Sequence, residues 1–111
     1  MVNIDGTPAE QYQRALVYFE AADYISAARL LAEVVAQAPG NTAARLLLAR
    51  AYYHSAQLHR AEAATRELLD RDPSEAYGYL LLGRILQRQS RHEEARGPLR
   101  LAGAMNGDYQ L

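Results

Sequence analysis

The chain has 111 residues, of which 50% are apolar and 23% charged, and its twelve basic and thirteen acidic side chains leave a net charge of −1. This is the profile of one globular domain with a buried core, and the near-neutral balance argues against nucleic acid as a partner. No apolar run reaches the roughly 20 residues of a membrane-spanning helix, and the absence of cysteine removes disulfides, a thiolate nucleophile and any Cys-bearing zinc site.

In chain order, residues 1–7 read as an N-terminal extension. They carry Asp5 and no basic segment ahead of an apolar one, so a secretory leader is not expected and a cytoplasmic location is. Thr7, Pro8 and Glu10 then offer a capping hydroxyl, a proline for the first helical position and a carboxylate able to reach back. They open a predicted helix over 8–21, followed by a second over 24–38. Pro39, Gly40 and Asn41 stop that helix and cap a third over 42–55, and a fourth is expected over 58–71. Asp72, Pro73, Ser74 and Glu75 mark the start of a fifth over 74–89. Ser90 and Glu93 read as a capping box opening a sixth over 92–104. Gly97 and Pro98 fall inside this last helix. An interior proline loses a hydrogen bond and clashes with the preceding turn, at a cost of ~3 kcal/mol, so the sixth helix is expected to be distorted or short.

The segments repeat. Pro39 and Pro73 lie 34 residues apart, as do Ala15 and Ala49, Tyr18 and Tyr52, and Ala27 and Ala61, with Ala95, Gly83 and Leu86 continuing the series. Each period holds two helices with apolar positions at helical spacing. Ala15, Ala49 and Gly83 on the first helices, and Ala27, Ala61 and Ala95 on the second, permit close approach. Tyr18, Tyr52 and Leu86, with Leu31, Leu69 and Leu99, are expected to fill the layers between. One such hairpin cannot bury its own apolar faces, whereas three stacked ones share a continuous core. The expectation is an all-α chain, a right-handed α-solenoid of three helix-turn-helix repeats with about six antiparallel helices. The single domain covers 8–107, divided near 8–41, 42–75 and 76–107, with a tail at 108–111.

All twelve basic residues are arginine. Without lysine there is no Schiff-base chemistry and no phosphate-binding P-loop, and the arginine- and alanine-rich usage reads as that of a GC-rich bacterial genome. His54 and His59 lie five apart and His92 stands alone, with no HExxH frame, so no metal site is expected. Ser26, Ser55, Ser74 and Ser90 lack a GxSxG context, and Glu93 with Glu94, and Asp70 with Asp72, sit at helix ends where acids cap or solvate. No catalytic residue, enzyme activity or cofactor is expected.

The pattern of small residue, aromatic or leucine, alanine and closing proline resembles the tetratricopeptide repeat. It is carried by Ala15, Tyr18, Ala27 and Pro39, then Ala49, Tyr52, Ala61 and Pro73, then Gly83, Leu86 and Ala95. Gly107 replaces the third closing proline, and Arg14 and Thr65 stand where the family prefers larger apolar residues. The resemblance implies an interaction module whose first helices line a concave groove. The groove positions are Tyr12, Leu16 and Phe19, then Leu46, Leu47, Arg50, Tyr53 and His54, then Tyr77, Leu81, Arg84 and Arg88. Helical spacing independently puts Tyr12, Leu16 and Phe19 on one face, and likewise Leu46 or Leu47 with Arg50 and Tyr53 or His54.

Such an apolar surface on helices that already carry a core face marks a protein contact. Arg50, Arg84 and Arg88 read either as solvated arginines paired with nearby acids or as a strip recognising a carboxylate on the partner. The expected ligand is a protein or peptide, mainly apolar with an acidic group. The chaperone-tail subtype of the family clamps a terminal carboxylate with charged groove residues. Tyr12, Leu16, Leu47, Tyr77 and Leu81 occupy those positions here, so such tails are poor ligands. The alternative is self-association, as a homodimer for example, through the groove or through an uncapped end at Leu99, Leu101, Ala102 and Met105, with Tyr109 and Leu111 folding back or packing on a neighbour.

Overall fold

The computed structural model describes residues 6–106 and consists there of six helices: α1 Pro8–Glu20, α2 Tyr24–Gln37, α3 Thr42–His54, α4 Leu58–Arg71, α5 Ala76–Arg88 and α6 His92–Asn106. The helices pack as hairpins α1/α2, α3/α4 and α5/α6. These stack through α2 on α3 and α4 on α5, giving an elongated body of 44 × 24 × 22 Å. This is the expected α-solenoid. None of the described helices is long and apolar enough to cross a membrane.

The helix starts follow from capping. The Thr7 hydroxyl accepts from the Glu10 amide at 3.2 Å while the Glu10 carboxylate accepts from the Thr7 amide at 2.8 Å, closing the expected box. Asp23 caps α2 through the Ser26 amide, and Asn41 caps α3 through the Ala44 amide. The fifth helix starts at Ala76 rather than 74. The Asp72 carboxylate accepts from both the amide and the hydroxyl of Ser74, holding that residue in a turn, and Glu75 becomes the cap.

Ser90 is not the cap of α6. Its φ is 61°, the left-handed region, and Ala56 (60°) and Ala22 (62°), one and two periods earlier, share it. In each hairpin the next amide bonds back to the helix that is ending: Asp23 to the Tyr18 carbonyl at 2.8 Å, Gln57 to Tyr52 at 2.9 Å and Arg91 to Leu86 at 2.9 Å. The three hairpin turns are therefore one motif used three times, a helix stop with a left-handed residue and a six-residue backbone bond. A second recurrence fixes the loops between hairpins. The Arg45 guanidinium Nε donates to the Pro39 carbonyl at 2.7 Å, and the Tyr79 hydroxyl, 34 residues on, donates to the Pro73 carbonyl at 2.9 Å.

The small residues sit where close approach was expected. Ala15, Ala27, Ala49 and Ala61 are fully buried, Ala95 nearly so, and a Cβ on Gly83 would collide with the Leu99 side chain of α6. Leu31 and Leu86 fill the layers, and Thr65 is buried with its hydroxyl bonded to the Ala61 carbonyl at 2.7 Å. Leu69 packs over Gly78, and Leu99 is half-buried over Gly83.

Tyr18 departs from the expectation. It is 41% exposed, whereas its equivalent Tyr52 is half-buried between the first two hairpins. The reason is positional, because no described hairpin precedes the first.

The sixth helix is not short. It runs unbroken through Pro98 and, at 15 residues, is the longest of the described helices. The carbonyl that Pro98 cannot bond belongs to Glu94, an exposed residue where water can replace the missing donor. At the C-terminal end Leu101 and Met105 are exposed and Ala102 is buried. Gly107, Tyr109 and Leu111 lie outside the described residues, as does Asp5.

Candidate functional site

The left-handed turn at Ala22 reverses the chain so tightly that Tyr24, the first residue of α2, lies against Phe19 of α1. Their rings meet edge-on with centroids 5.1 Å apart. His54, the last residue of α3, closes the group. Its ring stacks on Tyr24 at 4.8 Å, meets Phe19 edge-on at 5.9 Å and meets Tyr53 edge-on at 5.4 Å. Offset and edge-on contacts of this kind are the favoured aromatic geometries.

Arginines extend the cluster into the third hairpin. The Arg50 guanidinium carbon lies 4.9 Å from the centre of the Phe19 ring and 5.2 Å from that of Tyr77 on α5. Arg88, from the last turn of α5, lies 4.9 Å over Tyr53, and its Nη1 donates to the Tyr53 carbonyl at 3.1 Å. Cations over ring faces are held by the ring quadrupole, more strongly where water is excluded. Six of the expected groove residues thus form one connected surface across three hairpins: Phe19, Arg50, Tyr53, His54, Tyr77 and Arg88.

The other expected positions are placed differently. Tyr12 and Leu16 are half-buried against the first core cluster, and Leu46 against the second. Leu47 and Leu81 are core residues, 5% and 0% exposed. A ligand does not reach them, because each helix buries a broader face than a two-sided hairpin requires, with neighbours on both sides of the stack. Arg84 is exposed and donates from Nη1 to Gln87 at 2.9 Å. Tyr24 is the member that groove spacing misses, since it belongs to a second helix. Its signal in the sequence is only its place after the turn, next in space to Phe19.

The charges of the surface lack acids. Carboxylates pair with Arg45, Arg66, Arg71, Arg91 and Arg96, and among the described residues none forms an ion pair with Arg50, Arg84 or Arg88. The Nε of Arg50 is buried and has no hydrogen-bond partner. Burial, then the charges of Arg50 and Arg88, hold the His54 imidazole below its ordinary pKa, which favours the neutral ring. Burial pushes the Tyr77 hydroxyl up; the Arg50 charge opposes this and Tyr53 adds to it. The result is a rigid aromatic surface with fixed positive charge and one neutral imidazole, suited to an anionic group beside apolar ones. Among the described residues no three His, Asp or Glu side chains gather in a way that could hold a metal ion.

Residues 18–85 match the tetratricopeptide repeat family. No curated protein matches the sequence. Among solved structures, the residue-41-to-end portion of MamA from Desulfovibrio magneticus RS-1 is 28% identical and superposes with a TM-score of 0.80, over 86% of this chain and 54% of that one. The chain thus spans about half the length of that relative. The tetratricopeptide domain of OM64 from Arabidopsis is 16% identical with a TM-score of 0.87, over 93% of this chain and 85% of that one. SycD, a type III secretion translocator chaperone from Yersinia enterocolitica, is 18% identical with a TM-score of 0.84, over 92% and 77%. At the identities of the last two, the likeness is one of fold.

Proposed function

The chain belongs to the tetratricopeptide repeat family, and on that premise we propose that it is a non-enzymatic interaction module binding a protein or peptide that carries a carboxylate beside apolar side chains. The observation that carries this reading is Arg50. It is pinned between Phe19 and Tyr77, has no acidic partner among the described residues, and keeps a buried Nε donor unbonded among them. A buried donor left without an acceptor is costly, and a carboxylate delivered by a ligand would satisfy it with a charge-assisted bond. Arg88 and Arg84 extend the positive strip, while Tyr53, Tyr24 and His54 supply flat, half-buried contact area of the kind enriched at binding hot spots.

The surface is also organised in advance. Its rings brace one another and its guanidiniums rest on them, so little side-chain freedom remains to be lost when a partner arrives. One structural neighbour, SycD, is a type III secretion translocator chaperone, in keeping with this class of role.

A peptide array in which Asp and Glu alternate with Asn and Gln tests the reading. Binding that prefers acidic members and is lost in Arg50→Gln and in Arg84→Glu/Arg88→Glu, with unchanged circular dichroism, supports it. Equal binding of acidic and neutral members, or retention by both variants, rejects it.

A further inference from the structure

Between the first two hairpins lies a cleft of about 300 Å³, walled by Val35 of α2 on one side and by the second hairpin on the other. A larger cleft, about 570 Å³, opens on the outer face of the first hairpin and is lined by Arg14, Tyr18, Ser26, Arg29, Leu30 and Glu33. Each of these six lies 34 residues before a residue of the second hairpin that lines the smaller cleft. The outer cleft is therefore a repeat-receiving face with no described hairpin upon it. Its exposed Tyr18 is the counterpart of a tyrosine that stacking covers.

The chain carries a helix in register for that face. Inside the solenoid, α4 meets the third hairpin through Glu62, whose carboxylate accepts from Arg91 at 2.7 Å. The residue 34 after Glu62 is Arg96 on α6, and the residue two periods, 68 positions, before Arg91 is Asp23 in the first hairpin turn. Both are exposed. Placing α6 of one copy on the first hairpin of the next, in the chain's own register, brings Arg96 to Asp23. This is the internal ion pair with its signs reversed. Size matches as well as charge. Val35 and Leu48 line one internal cleft, and Leu69 and Leu82 line the next. At the outer junction their counterparts are Gly103 and Arg14, a shorter residue where the facing one is longer. Among the described residues Arg96 pairs with Glu93 on its own helix, at 3.0 Å, where both side chains are largely in water.

We propose that copies of this chain associate head to tail, α6 of one seated in the Tyr18 cleft of the next, with Arg96 paired to Asp23 across the junction. The two faces differ, so the contact is heterologous and extends rather than closing at a dimer. It leaves the aromatic and arginine surface free and stands apart from the function proposed for it.

Sedimentation velocity over a wide concentration range tests this. Wild type is expected to show an average mass that climbs with concentration past that of a dimer. Arg96→Asp and Asp23→Arg should each weaken association by roughly tenfold or more. A mixture of the two variants should recover it, since each altered face then meets an opposite charge. Asp23→Asn, which keeps an oxygen for the Ser26 amide, weakens association without disturbing the helix start, and circular dichroism checks every fold. A monomer at all concentrations overturns the proposal and hands the cleft to a different partner. So does a closed dimer, or association indifferent to Arg96→Asp.

Discussion

Glu62 on α4 and Arg91 in the turn before α6 are joined at 2.7 Å, and this pair ties the second hairpin to the third. The same carboxylate accepts from Gln89 at 3.0 Å and from Arg66 at 3.0 Å, while Arg91 also clasps Glu94 with two nitrogens, each at 2.8 Å. Burial pulls the Glu62 pKa upward, but the bonds from Arg91, Gln89 and Arg66 outweigh it and set the value at about 2, against an ordinary 4.5.

The sign of the resulting pH dependence follows from linkage. The folded value is depressed, so the stabilisation is fully present above the ordinary value and disappears as pH falls from about 4.5 towards 2. Glu62→Gln should cost about 1–2 kcal/mol at neutral pH, a figure that allows for solvent screening. It should also flatten the loss of stability between pH 5 and pH 2, roughly the window over which the two values differ. Urea unfolding at several pH values measures both. A variant with the same acid slope as wild type would mean that other carboxylates govern it.

Three non-glycine residues hold left-handed backbone at equivalent turns, Ala22, Ala56 and Ser90. Such a conformation costs an L-residue about 1–2 kcal/mol, partly offset because glycine loses more freedom on folding. Ala56→Gly is therefore expected to raise stability by about 0.5–1 kcal/mol without altering the fold. The urea midpoint should move up with an unchanged slope, and a drop would show that the turn is not strained.

At Gly83 the opposite change is costly. A methyl group there meets the Cγ and Cδ2 of Leu99, so Gly83→Ala must push α5 and α6 apart or force Leu99 from its rotamer. Overpacking of this kind costs about 1–3 kcal/mol. Gly103 on α6 has open space where its Cβ would be, so Gly103→Ala is the control and should be neutral or slightly stabilising. Thermal melts of the two variants should move in opposite directions or differ clearly in size.

His54 is expected to titrate below 6.5, because burial and then Arg50 and Arg88 disfavour its charged form. With the folded value lowered, the unfolded chain takes up the proton first. This side chain therefore subtracts stability as pH falls through the ordinary value. NMR titration of the imidazole gives the midpoint directly. Arg50→Gln should move it upward, whereas no movement would leave burial and Arg88 in control.

Much of this was legible from residue spacing. Helical periodicity, the capping groups at Thr7 and Asn41, and the 34-residue recurrence of alanine and proline specify six helices in three equivalent hairpins, because each acts over one or two turns of backbone. Ser90 misled because serine followed by glutamate is also a capping pattern. Its left-handed conformation shows only against Ala22 and Ala56, where the residue type offers no hint.

The amino-acid order alone determined which residues share a helix face and where each hairpin turns, since those properties depend on near neighbours in the chain. Tertiary packing alone decided which members of a face meet water. Leu47 and Leu81 vanish into the core, Tyr18 stays exposed where its repeat-mate Tyr52 is covered, and Tyr24 joins Phe19, His54 and, through them, Arg50 in one surface. Equivalent positions in a stacked array carry the same side chains yet differ in their neighbours, and burial is a property of the neighbours.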